Sequence, residues 1–463
     1  MTKRQGDITR TFICFITAFI MAMGVTAGSL SALRIIDEEQ KRPSPSQIAQ
    51  DENYWLSIQT AFDIDRDIVN LNNGGVHPAP RTAMNALHRY LDFANGAPTY
   101  NSWIFIRPRK EFVRKGIADT FGCSPEEIAI TRNVTEALEI PLFGLELKPG
   151  DEVLTTTHDY PSMKNTLLQR EKREGIVVKT FSFPYPPKSL QELADLFEKN
   201  VTPRTKLILV CHITNTTGQI FPVKEICRMA RQKGIEVIVD GAHAFGQFEF
   251  KLKDLDCDIY GANLHKWMMA PIGSGFLYVK KEKIKKIWPL FAAPDPLSDD
   301  IRKFENYGTH PEPIWAAAAE ALSFHHGIGA KVKEERLRFL KNYWAFALKD
   351  LPGVRILTSF DPLMSCGVGA FTVDNMDTAE LTRVLLEKNK IVLATFKLPD
   401  GVGVIRVTPS IYTTLRELDL FIEAVASCLK KGLPKEPSLT RPFSLPCTRG
   451  SFPRFRQDSL GPP

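Results

Sequence analysis

The sequence has no Cys-x-x-Cys pair, no internal repeat and hardly any net charge in its body. Its eight cysteines stand at irregular spacings, at 14, 123, 211, 227, 257, 366, 428 and 447. That pattern argues against a disulfide framework and a zinc site and leaves buried or idle thiols as the reading; no metal is expected. The formal charge of +6 falls to +1 once segments 1–27 and 433–463, which carry +2 and +3, are set aside. A nearly neutral body argues against nucleic acid as a partner, because such binding rests on neutralising phosphates.

What is present is an ordinary globular balance, 43% hydrophobic and 24% charged over 463 residues, enough for two or three domains. Lys3, Arg4 and Arg10 precede an apolar run from Phe12 to Val25, and Val25-Thr26-Ala27 resembles a cleavage site. Residues 1–27 therefore read as a signal peptide or membrane anchor; the run is short for a membrane span, which favours cleavage. The expected location is the periplasm, by export, or a membrane reached through residues 11–26. It is cytoplasmic if the segment is not a working signal. Folded export by the Tat route needs paired arginines, and Thr9-Arg10-Thr11-Phe12-Ile13 offers one.

Residues 28–53, with Pro43 and Pro45, read as a linker. From 54 to about 325 apolar runs alternate with helical patterns. Candidate strands are Ile128–Thr131, Glu152–Thr156, Lys206–Ile213, Glu236–Asp240 and Gly275–Val279, with helices such as Val223–Lys233 between them. This alternation predicts an α/β domain whose mostly parallel sheet is covered on both faces. Residues 326–432 read as a smaller α+β domain, with a charged helix from Lys331 to Asp350, strands near Gly369–Val373 and Val404–Val407, and a last helix from Leu415 to Lys430. The tail 433–463 holds seven prolines and reads as disordered.

Two segments carry chemistry. In Glu236-Val-Ile-Val-Asp240-Gly241-Ala242-His243 a buried strand ends in a carboxylate, at the end of a sheet where ligands bind in open α/β folds. In Asn263-Leu-His265-Lys266-Trp267 a lysine stands among apolar residues; a desolvated lysine has a lowered pKa and becomes a usable nucleophile. Together they meet the needs of pyridoxal 5'-phosphate (PLP): an amine for a Schiff base, Lys266, and an acid for the ring nitrogen, Asp240.

Asp-Gly-Ala-His, then Asn-x-His-Lys, then Gly-Ser-Gly-Phe-Leu-Tyr resembles the class V aminotransferase family of fold-type I PLP enzymes, and within it the isopenicillin N epimerase-like branch. The resemblance runs from about Leu71 to Val425. It implies a fold-type I transferase: a large PLP-binding domain, 54–325, with a seven-stranded-type sheet, its first part contributing to the small domain 326–432. Thr131-Arg-Asn133-Val134-Thr135-Glu136 follows a strand and opens a helix, a setting suited to phosphate. Asn263 and His265 resemble further phosphate contacts. His158 matches the residue that stacks on the cofactor ring, with Tyr160 beside it as the alternative stacking residue and a substrate contact. Asn215 resembles the partner of the phenolic oxygen, and His243 is expected near the same oxygen. Arg406 matches the arginine that binds the substrate carboxylate, for which its two-pronged fork suits. Tyr307-Gly308-Thr309 resembles a segment that reaches the phosphate of a neighbouring subunit, so the resemblance implies a homodimer.

The expected activity is at the α-carbon of an amino acid or amino-acid derivative, with Lys266 as the general base. Epimerisation, transamination and loss of a β-substituent all diverge from that step, and the sequence does not choose among them. Cysteine desulfurases need a nucleophilic loop cysteine; the matching loop, Leu393–Val402, has none, which disfavours that activity. The other alternative is an exported or membrane-tethered binding protein that keeps the fold without turnover.

Overall fold

The computed structural model describes residues 43–433. The expected signal segment, the first part of the expected linker and the expected disordered tail from Pro434 onwards lie outside the described residues. The described end of the linker is helical instead, over Pro45–Gln50 and Glu52–Gln59. Pro45 there occupies the first turn, where its missing N–H costs nothing, and Ser44 forms a capping box with Gln47. Pro45, read as linker punctuation, is thus a helix start. Arg336 anchors these helices by donating to the Ala49 carbonyl and pairing with Glu52.

Seven strands form the main sheet: β1 (Ile128–Thr131), β2 (Glu152–Thr156), β3 (Val177–Phe181), β4 (Thr205–Cys211), β5 (Glu236–Asp240), β6 (Ile259–Asn263) and β7 (Gly275–Val279). Their order is β1-β7-β6-β5-β4-β2-β3, and only β7 runs antiparallel to its neighbours. Both faces are buried. Along β4, Leu207 and Leu209 pack into one apolar cluster while Ile208 and Val210 pack into another on the opposite face. That is why these strands read as continuous apolar runs rather than alternating ones.

Strands β3 and β6 escaped the sequence reading. β3 is an edge strand with exposed positions, and β6, Ile-Tyr-Gly-Ala-Asn, has only two residues that favour strands. The smaller sheet is antiparallel, with β8 (Val354–Ile356), β9 (Gly369–Val373), β10 (Ala394–Lys397) and β11 (Gly403–Val407) in the order β10-β11-β9-β8. Val69–Asn70 pairs with Ile391–Val392, and the Thr408 amide donates to the Leu71 carbonyl. The early chain therefore runs beside the C-terminal sheet. Among the described residues no helix is long and apolar enough to cross a membrane, and no His/Cys/Asp/Glu group is placed to hold a metal.

Candidate active site

In the parallel part of the sheet, Cys211 is registered with Asp240, and Asp240 with Gly261. The carboxyl ends of β4, β5 and β6 therefore line up. Asp240 ends β5, and its carboxylate accepts a hydrogen bond from the Ala242 amide at 2.9 Å. Glycine must follow it: a Cβ at Gly241 would lie 2.1 Å from the Tyr260 ring. Burial pushes the Asp240 carboxyl up to about 6, against the Ala242 hydrogen bond and the charge of Lys266; the Asp159 carboxylate adds to the rise.

Lys266 sits in the tight turn after β6. The Met269 amide returns to the Lys266 carbonyl, with Met269 itself at φ +60°. Burial lowers the lysine to about 8, although the Asp240 charge pulls it upward. Its Nζ lies 3.0 Å from His243 Nε2, and His243 Nδ1 accepts from the Trp267 indole N–H at 3.4 Å.

Asp240 and Lys266 face one cleft of about 320 Å³, which extends to the N-terminus of the helix Val134–Gly144. Asn133 caps that helix by accepting from the Glu136 amide, and Asn263 accepts from the Val134 amide. The Thr135 amide has no acceptor among the described residues, so a donor and the positive end of the helix face the cleft. Asn215, His243 and His265 also line it. His265 donates through Nδ1 to the Ser274 carbonyl, and burial lowers its pKa, so its neutral ring offers the cleft a lone pair rather than an N–H.

Arg406, on β11, is 4% exposed. Its Nη atoms donate to the Asn215 carbonyl at 2.8 Å and to Asn72 Oδ1 at 2.7 Å, and its Nε has no partner. No carboxylate neutralises it among the described residues, and burial lowers it to about 10. A buried guanidinium without an anion is costly unless a ligand supplies one.

Three expected residues are not among those that line the cleft: Arg406, which touches it through the Asn215 carbonyl, and His158 and Thr309. His158 packs on Phe183 with ring centroids 4.3 Å apart and on Tyr185 at 5.4 Å, and neither ring nitrogen has a partner. Burial lowers it to about 4. The cleft position belongs to Tyr160, two residues on, because the turn from β2 into the helix Pro161–Glu174 sends His158 into the aromatic cluster. Thr309 is exposed, after Gly308 at positive φ, and is not among the residues that line this cleft.

The sequence reading also missed residues. Asn72 orients Arg406, and Gly75 and Gly273 line the cleft. The signal was there in Asn72-Asn73-Gly74-Gly75, a turn cluster with no other explanation. Arg132 also lines the cleft but is held by Glu136.

The loop expected to lack a desulfurase cysteine closes as the β10–β11 hairpin, through the Leu398 amide and the Val402 carbonyl. Cys366 is buried, with its thiol pushed up to about 12. Neither place offers a thiolate.

The residues fit PLP: a buried acid, a low-pKa lysine, an open helix N-terminus for phosphate and an unneutralised arginine beside the cleft. The comparisons agree. The family model described as aminotransferase class-V matches residues 69–420. An isopenicillin N epimerase of Streptomyces clavuligerus is 30% identical over 388 residues, covering 80% of this chain and 97% of its own. A probable cysteine desulfurase of Synechocystis sp. is 26% identical over 396 residues, 78% of this chain and 91% of its own. A solved complex of the cystine C-S lyase C-DES with its product cysteine persulfide superposes with a TM-score of 0.71 at 25% identity, covering 78% of this chain and 98% of that one. This chain belongs to the class V aminotransferase family of PLP-dependent enzymes, in its isopenicillin N epimerase-like branch.

Proposed function

We propose that the protein removes and returns the α-proton of an amino acid or amino-acid derivative, as an epimerase does. The observation that carries this reading is Arg406, a buried cation beside the cofactor cleft with no anion of its own. A substrate carboxylate is the group that it lacks. PLP, when bound, delocalises the electron pair left on the α-carbon. The chain's residues do the rest. Arg406 seats the carboxylate by its fork. Lys266, lowered to about 8, is poised to take the proton near neutral pH. Asp240 keeps the ring nitrogen protonated. Tyr160 brings a second proton-bearing group to the same cleft, which return of a proton to the other face requires. The missing thiolate weighs against desulfuration.

The test is α-proton exchange. Holoenzyme is incubated in D2O with amino acids of both configurations and with isopenicillin N. Deuterium at the α-carbon with inverted configuration is expected. Release of sulfide and pyruvate from cysteine would make the enzyme a lyase, and conversion of an amino acid to its keto acid with no β-group lost a transaminase. Absence of α-deuterium from every compound would refute the reading and favour a binding protein without turnover.

The same resemblance motivates a homodimer in which Thr309 approaches the partner's phosphate site. Export remains a proposal carried by the sequence of residues 1–27 alone.

A further inference from the structure

Lys266 and His243 have a third companion that the cofactor chemistry does not demand. Trp267 is 1% exposed and packs with Leu337, Val368 and Ile411 where the main sheet meets the helix Ala330–Leu348. Its carbonyl accepts from Lys333 Nζ, and its indole N–H donates to His243 Nδ1. The other face of the imidazole turns to the catalytic amine, with Nε2 at 3.0 Å from Lys266 Nζ.

An indole N–H can only donate, so the nitrogen it meets must carry a lone pair. His243 is buried, and burial drives its pKa well below the ordinary value; the charged groups that act on it, Lys266 and Arg406, are both cations and oppose a second proton. The ring is therefore neutral and holds one proton. With Nδ1 occupied by Trp267, that proton sits on Nε2 and points at Lys266. An ammonium has no lone pair to receive it. A charged Lys266 would need the opposite tautomer, and the Trp267 bond would break.

We propose that Trp267 is a positioning residue: by fixing His243 as the Nε2–H tautomer, it favours the free amine of Lys266, the form that accepts a proton. Burial and Arg406 oppose the Lys266 ammonium while Asp240 and Cys211 favour it, and the hydrogen bond from His243 adds to the side of the free amine. Once Lys266 is engaged, the same tautomer leaves a fixed N–H facing the cleft. The inference rests on the proposed function for the task of Lys266, but the tautomer itself needs no cofactor.

The experiment is NMR of the full chain, labelled with 15N at histidine, with and without PLP; the His243 signals are identified by their loss in H243Q. The wild type is expected to show the Nε2–H tautomer. A hydrogen bond of ordinary strength biases the two tautomers by roughly five- to tenfold, so W267F should show a mixture. Its kcat should fall by a similar factor with KM unchanged. An Nδ1–H or doubly protonated His243 in the wild type overturns the proposal, as does an unchanged tautomer in W267F. If W267F does not fold, the wild-type tautomer decides alone. Protein that refuses PLP yet shows the Nε2–H form would sink the proposed function and leave this inference standing.

Discussion

Replacing Arg406 by methionine separates a ligand-binding cation from a structural one. Its pKa falls from 12.5 to about 10, which corresponds to about 3 kcal/mol against the charged form. Because the folded pKa lies below the unfolded one, stability is withdrawn as pH falls from 12.5 to about 10, and at neutral pH the whole penalty is present. Methionine removes that penalty. It also leaves the Asn215 carbonyl and Asn72 Oδ1 short of a donor, at about 1–3 kcal/mol each. The two effects nearly cancel, so the apoprotein should stay within about 1 kcal/mol of wild type.

Arg114 is the control. It is equally buried but is paired with Glu305 at 2.7 Å and Glu111 at 3.0 Å. R114M removes the buried partner of Glu305, which keeps Lys110, and of Glu111, which keeps Arg302, and should still cost about 3 kcal/mol. Activity should divide the other way. Loss of the fork costs about 3 kcal/mol of carboxylate binding, roughly a hundredfold in kcat/KM for an amino acid, with little effect on the descarboxy amine. The assays are urea unfolding of both apo variants and α-proton exchange by R406M holoenzyme. The reasoning is refuted if R406M unfolds as readily as R114M while its KM for amino acids is unchanged.

Three further outcomes are expected. K266A should lose the visible absorbance that PLP gives the wild type and all α-deuteration. Its apoprotein should gain up to about 3 kcal/mol at neutral pH, because the lysine's fall from 10.5 to about 8 withdraws stability as pH drops from 10.5 to 8. D240N should reduce turnover by about a hundredfold or more. The raised carboxyl contributes stability that is full below pH 3.8 and lost as pH rises through 6, so apo D240N should be no less stable than wild type at neutral pH, as urea titrations across pH would show. G241A drives a Cβ into the Tyr260 ring and should cost about 3 kcal/mol and weaken cofactor uptake, measured by unfolding and by equilibrium dialysis of PLP.

The local sequence determined much of this protein. The buried strands of the main sheet are apolar on both faces, so β1, β2, β5 and β7 announce themselves at their observed bounds. Asp240 and Lys266 stand beside strands and turns whose neighbours could hardly leave them solvated. Periodicity failed where packing overrides propensity. β6 is a strand because β5 and β7 flank it, and Pro45 starts a helix because Ser44 and Gln47 cap it. Only the tertiary structure put Tyr160 rather than His158 on the cleft wall, two residues apart in a turn whose course no pattern fixes. It alone joined Asn72 to Arg406 across 334 residues and laid Trp267 against His243. Such contacts depend on distance in space, and the chain records only the residues that will meet, not their meeting.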